Sequence, residues 1–214
     1  MLEKMFPKSG SDVPEIRFKE FTGGWKEQKL GEIADNLDYG LNAAAIKFDG
    51  INKYIRITDI DDENNEFKTD ALTSPDTNLS NAGDFRLKEG DLLFARTGAS
   101  VGKTYFYKIS DGVVFFAGFL IRARIKPEYD PVFIFQNTLT NKYKSFIRFT
   151  SQRSGQPGVN AQEYSSFEIF TPILSEQAKI GAFFKQLDNL LSFQKKELEK
   201  LKTMKKALLE KMFV

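Results

Sequence analysis

Neither cysteine nor histidine occurs anywhere in this 214-residue chain. That excludes thiol nucleophiles, disulfide staples, Cys/His zinc sites and any reaction that needs imidazole as its base. Tryptophan is nearly missing too: 1 Trp stands against 21 Phe, so phenylalanine must dominate the core. No apolar run approaches membrane-spanning length, and the most apolar stretch, 113–121, is only strand length. Residues 1–10 lack the apolar centre of a signal peptide, which makes a cytoplasmic location the expectation. With 41% hydrophobic and 14% aromatic residues, the chain can bury one good core and a second small element.

Acidic residues are missing from one long stretch. Between Pro131 and Gln162 there is no Asp or Glu, while Lys142, Lys144, Arg148 and Arg153 all fall there. The net charge of +2 hides this split: residues 56–91 carry 4 basic and 10 acidic side chains, and residues 92–174 carry 10 and 5. A basic face of that kind attracts a polyanion. The acidic segment suits a face turned away from the polyanion, or one turned toward a basic partner.

Local patterns divide the chain in three. Residues 1–24 read as a linker, with Pro7, Pro14 and the Gly23-Gly24 pair. The spacing of Leu30, Ile33 and Ala34 predicts a short helix over 26–36. Alternation predicts strands over 54–60, 90–96, 103–109 and 113–125, with a polar loop over 61–82. Asp130-Pro131 is a helix start, and that helix is expected to reach about residue 149. A polar loop over 150–162 and a last strand over 165–170 complete a globular body at 25–174. The fold class is α+β, a mixed and antiparallel sheet followed by one long helix at 175–214, capped by Ser175.

That helix carries a seam. Phe184, Leu187, Leu191, Gln194, Leu198, Leu201, Lys205, Leu208 and Met212 step by three and four, and seven of the nine are apolar. Gln194 and Lys205 are polar seam positions of the type that fix register and partner number. About 38 residues at 1.5 Å each make a rod of roughly 57 Å. Its seam needs a second helix of similar length, from a neighbouring repeat or from a second copy. Folding back over its own body is the alternative. A repeat is visible in the sequence itself: Leu-Glu-Lys-Met-Phe occupies 2–6 and again 209–213. The first copy is expected to stand for the last turn of a preceding repeat's helix, as if one unit had been cut from a tandem array.

Two loops carry the candidate chemistry. Residues 96–104 come close to a nucleotide-binding P-loop, but three residues instead of four separate Gly98 from Gly102-Lys103, and a strand follows where a helix should. A strand–turn–strand loop fits better. It offers Arg96 and Lys103, with Thr97 and Ser100 beside them, for a DNA phosphate or a guanine edge. An ordinary glycine turn is the other reading. The second loop holds Gln152, Arg153, Gln156 and Asn160, residue types that pair two hydrogen bonds to guanine or adenine, or else a solvated loop without a partner. Lys142 and Lys144 suit phosphate contacts. Enzyme signatures are missing: there is no Asn-Pro-Pro or Asp-Pro-Pro step for amino-methyl transfer and no Gly-x-Gly methyl-donor loop. No acid-x-Lys follows Pro75-Asp76 either. Asp59, Asp61, Asp62 and Glu63 lack the spacing of a cation loop, so no metal and no cofactor is expected.

An ordered set of segments resembles a known family. Pro14-Glu15-Ile16-Arg17-Phe18, Trp25, Lys29-Leu30-Gly31-Glu32-Ile33 and Gly90-Asp91-Leu92-Leu93-Phe94-Ala95-Arg96-Thr97-Gly98 come first. Gly158-Val159-Asn160, Pro172-Ile173-Leu174-Ser175-Glu176-Gln177, Leu187-Asp188 and the Lys/Leu-rich helix follow. Together the chain is similar to one target-recognition repeat of the specificity subunit of type I restriction-modification systems, with Pro172-Ile173 replacing the usual proline pair. The resemblance implies two recognition domains joined by two antiparallel helices, each domain reading half of a split site on double-stranded DNA. It further implies separate modification and restriction subunits that methylate and cleave, and no catalysis or membrane contact by this chain. A second copy of the chain, or a second repeat, would supply the other half. A coiled-coil adaptor whose globular domain binds a protein is the competing reading, and an enzyme using loop 96–104 on a phosphorylated substrate is a third.

Overall fold

Asp91–Ala95 is apolar at every position but the first and is buried on both faces, as only a central strand can be. Its alternation divides the core. Leu92 and Phe94 point into one cluster, Leu93 and Ala95 into another. The computed structural model describes residues 1–8 and 10–212. In chain order the strands and helices are β1 (Lys26–Lys29), α1 (Leu30–Ile33), β2 (Ala34–Tyr39), β3 (Ala45–Lys47), β4 (Lys53–Ile55) and β5 (Thr73–Pro75). Then come β6 (Asp91–Ala95), β7 (Thr104–Phe106), β8 (Val114–Phe116), β9 (Leu120–Ile125) and α2 (Pro131–Asn137). The chain continues through α3 (Asn141–Thr150), α4 (Ala161–Ser165), β10 (Glu168–Thr171) and α5 (Leu174–Met212).

The central sheet runs β2-β9-β6-β7 and is antiparallel throughout. One face packs on α2, α3 and the root of α5 through Phe133, Ile134, Tyr143, Ile147, Ile180 and Phe184. The other face is covered by β4 and β8, a parallel pair, with Ile60, Phe67 and Leu87 from the connecting loops. β1 pairs with β10, which fastens the two ends of the body together.

Several elements depart from the sequence reading, each for a local reason. The 26–36 helix shrinks to the single turn α1. The backbone on either side is claimed by β10 and β9, and only Leu30 and Ile33 keep the helical spacing. The 54–60 strand stops at Ile55 because Asp59 turns the chain: its carboxylate accepts from the Arg56 N–H at 2.9 Å and from the Arg56 guanidinium. The 61–82 loop contains β5, paired with β3. The 113–125 strand is two, broken where Gly118 donates to the Leu41 carbonyl at 2.8 Å, so β8 joins β4 while β9 joins β6. The 130–149 helix starts as expected, with Asp130 accepting from the Phe133 N–H at 2.7 Å, but breaks at 138–140. There the Thr138 and Thr140 hydroxyls donate to main-chain carbonyls, which competes with the helical ladder. Ser175 lies inside the first turn of α5 and does not cap it; the Gln177 amide donates back to the Pro172 carbonyl at 2.8 Å.

Parts of the expected linker are packed. Leu2–Lys4 forms a 3₁₀ turn, and Met5 and Phe6 are 3% and 5% exposed among Trp25, Phe133 and Phe184. Arg17 makes a two-pronged pair with Glu176 at 2.7 Å. α5 then leaves the body. Past Leu187 every described residue is exposed, and at 1.5 Å per residue its 39 residues span about 58 Å. Phe184 and Leu187, read as seam positions, pack on the body itself; Leu191, Leu198, Leu201, Leu208 and Met212 stand 52–72% exposed. Phe213, the last residue of the second Leu-Glu-Lys-Met-Phe, lies outside the described residues.

Candidate nucleic-acid interface

β6 ends at Ala95, and the chain folds over itself through 96–103. Ala95 donates to Lys103 at 2.8 Å and Gly102 donates back to Ala95 at 2.9 Å. Positive φ at Gly98 and Gly102 makes this turn possible. A side chain at 102 would also strike Ile147 of α3 at 2.6 Å. The second loop, 151–160, closes when Gly158 donates to Ser151 at 3.1 Å.

The two loops are joined. Gly98 donates to the Pro157 carbonyl at 3.0 Å, Val159 donates to the Arg96 carbonyl at 2.9 Å, and Thr97 bridges Gly158. Residues about sixty positions apart therefore form one surface, held from below by the Tyr164 hydroxyl donating to Ala95 at 2.7 Å and the Tyr143 hydroxyl donating to Gly102 at 3.0 Å. Burial pushes both phenols above the ordinary tyrosine range, so they stay neutral donors.

On this surface Arg96 makes no ion pair among the described residues; its guanidinium lies over the Tyr39 ring at 4.8 Å. Tyr39 is half-exposed, and its hydroxyl accepts from the Ala161 N–H at 3.1 Å. Gln152 and Gln156 are exposed, and Gln156 lies against Gly98. Other predicted residues have local tasks. Lys103 pairs with Asp62 at 2.6 Å, which brings the acidic segment to the rim of the loop instead of away from it. Arg153 pairs with Glu163 and donates to the Thr150 carbonyl at 2.8 Å. Asn160 caps α4, accepting from the Glu163 N–H at 2.9 Å, and Ser100 is buried. Thr97 is half-buried at the bridge between loops. Lys142 sits at the far end of α3, over Phe170 and 3.6 Å from Glu27, and is not brought to this surface. Lys144 and Arg148 lie one turn apart on the exposed face of α3 without an acidic partner among the described residues.

Sequence reasoning missed Tyr39 and Phe119. The helix expected over 26–36 hid the strand that delivers Tyr39. Phe119 is 59% exposed in the β8–β9 turn, where its carbonyl accepts from the Arg96 N–H at 3.0 Å. The acids at 59–63 are spent locally: Asp59 on Arg56, Asp61 on the Glu63 and Asn64 N–H groups, Asp62 on Lys103. Among the described residues no group of three or more potential metal ligands gathers.

The family model of the type I restriction modification DNA specificity domain matches residues 22–203. The chain belongs to that family. A putative type I restriction enzyme MjaX specificity subunit from Methanocaldococcus jannaschii is 26% identical over 199 residues, covering 91% of this chain and 46% of its own length. The HsdS subunit of Thermoanaerobacter tengcongensis superposes with a TM-score of 0.60 at 18% identity, over 91% of this chain and 43% of that one. A chain solved for the complex assembly and conformational transition of the type I R-M system gives 0.61 at 19% identity, with 91% and 44% covered. The solved structures share the specificity-domain fold, and the chain spans less than half the length of each of these relatives. Among the described residues no helix is long and apolar enough to cross a membrane.

Proposed function

We propose that this specificity domain is the DNA-reading unit of a type I restriction-modification system, one recognition head on one stalk. The observation that carries the reading is the union of loops 96–103 and 151–160. Five residues of types suited to base edges or phosphates (Arg96, Thr97, Gln152, Arg153 and Gln156) share one hydrogen-bonded surface, with Lys144 and Arg148 on the adjoining helix. Arg96 reads a base edge, preoriented by its stack on Tyr39. Arg153 must exchange Glu163 for DNA, while Ser100 and Asn160 shape the loops. Lys144 and Arg148 meet phosphates, which position without specifying.

The body at 25–174 is the reading head and 175–214 the stalk, with Met5, Phe6, Arg17 and Phe18 packed at the stalk's root. Two stalks lie antiparallel, from a second copy or a second recognition repeat, and hold two heads on the halves of a split site. A stalk of about 58 Å corresponds to about one and a half turns of duplex at 34–36 Å per turn. Methylation and cleavage belong to separate modification and restriction subunits, so this chain is not itself an enzyme. No cofactor is needed for that role.

Retention on duplex DNA at rising salt tests the reading. The logarithm of the binding constant is expected to fall linearly with the logarithm of salt. Binding that ignores salt, or no binding at all, contradicts it.

A further inference from the structure

The Leu-Glu-Lys-Met-Phe sequence at 2–6 is held as a ligand is held. Leu2 packs on the core edge, and the Glu3 carboxylate accepts from the Asn141 N–H at 2.8 Å, at the start of α3. The Lys4 carbonyl accepts from Ile16 at 2.8 Å. Met5 and Phe6 fill the core pocket, the Phe6 ring 5.4 Å from Phe133, 6.2 Å from Trp25 and stacked at 6.3 Å on Phe184. Every one of the five residues is used, and every contact made is non-covalent. The same five residues recur at 209–213, where Leu209 and Met212 lie exposed on α5.

A chain cannot deliver the second copy to its own pocket. Phe184, in the pocket wall, and Met212 are 28 residues apart on one continuous helix, about 42 Å. An antiparallel second copy can. A symmetric register centred on Leu198 sets 191 opposite 205 and 184 opposite 212, so the second copy's helix end arrives beside Phe184. Helix ends readily tighten into 3₁₀ turns, the form Leu2–Lys4 already has.

We infer that the pocket formed by Trp25, Phe133 and Phe184 is a receptor for the Leu-Glu-Lys-Met-Phe sequence, and that residues 209–213 of a second copy are its alternative occupant. This rests on the antiparallel pairing of stalks proposed above. Tethered residues 2–6 hold the pocket in the single chain. Pairing raises the effective concentration of the rival segment at the pocket mouth, and the two exchange. The exchange couples pairing to the hinge between head and stalk, because the pocket joins α2 to the root of α5.

Trp25 is the single tryptophan and lines the pocket, so its fluorescence reports occupancy. Phe6→Ala in the full chain is expected to red-shift Trp25 emission and raise its quenching by iodide at dilution. The change should reverse as concentration drives pairing, followed by sedimentation. Adding Phe213→Ala, at a residue that is not among the nine seam positions of the sequence, should leave pairing intact and abolish the reversal. Pairing that leaves Trp25 unchanged, or a reversal indifferent to Phe213→Ala, overturns the exchange alone. A chain that stays monomeric at every concentration overturns the stalk pairing and the exchange with it. Phe6→Leu, which keeps the pocket partly filled, replaces Phe6→Ala in the same comparison if that variant does not fold.

Discussion

Glu176 is 1% exposed, and its whole charge is answered by Arg17, whose Nε and Nη2 each donate to it at 2.7 Å. The carboxylate beside it holds the Arg17 guanidinium above its ordinary range. Removing one partner strands a buried charge. Arg17→Ala is therefore expected to lower unfolding free energy by about 3–5 kcal/mol, while Arg17→Met with Glu176→Met recovers most of it. Denaturant titration checks this, and equal losses in both variants would contradict it. Asp130 behaves oppositely. Burial raises its carboxyl above the ordinary aspartate value of about 3.9, against the pull of the N–H groups it caps. The folded state thus holds that proton more tightly, so its contribution is fullest below the unfolded value and declines as pH rises through the folded one. Asn keeps the cap acceptor without the charge, so Asp130→Asn should melt alongside the native chain at about pH 3 and above it at pH 7. Melting curves that stay parallel across that range would sink the assignment. On the interface, Arg96→Ala is expected to relax discrimination at one base pair by about 1–3 kcal/mol, whereas Lys144→Ala weakens all sequences alike and lowers the salt slope by about 1. Competition binding with point-mutated duplexes separates the two effects.

At the scale of elements, the exposed stripe of α5 sets the strongest constraint. Burying each leucine is worth about 1.5–3 kcal/mol, and the antiparallel pairing proposed above sets Leu198 opposite its own copy on the two-fold axis. Leu198→Glu loses that burial twice and opposes two like charges, so the dissociation constant of the paired form should rise at least about 100-fold. Sedimentation equilibrium reads the change; an unaltered association would remove Leu198 from the seam. The three–four period was legible in sequence, although Phe184 and Leu187 at its start pack on the body. So were β6, buried on both faces, and the Asp130 cap. The short strands were not. β1 and β2 exist because distant β10 and β9 supply their hydrogen bonds, and no local period announces a partner 82–145 residues away. The two loops showed their residue types but not the bridge between them, since the Thr97–Gly158 contact depends on how α3 returns the chain. Asn160 has a residue type suited to adenine and also to an N-cap, and only the position of Glu163 separates the two.

The whole molecule is a head with two hydrophobic faces buried around one sheet and a stalk exposed past Leu187. Composition alone, without histidine or cysteine, excludes thiol and imidazole chemistry in such a body. The basic stretch 131–162 pointed to a polyanion, yet it splits in space: Lys142 turns to β1 and β10, and only its later residues reach the loops. The acidic stretch reaches the same rim through Asp62. Lys103 is thereby held back from solvent anions, and Asp62→Asn is expected to strengthen DNA retention at low salt, with the gain fading as salt screens it. Retention that is unaltered would exclude Asp62 from the rim of the interface.

The central claim is most directly tested by selecting duplexes from a random pool with the purified chain and sequencing those retained. Two identical heads on antiparallel stalks predict an enriched word in two inverted halves, separated by a fixed gap, that loses its definition with Arg96→Ala and its second half with Leu198→Glu. A pool that emerges without any enriched word would contradict the account.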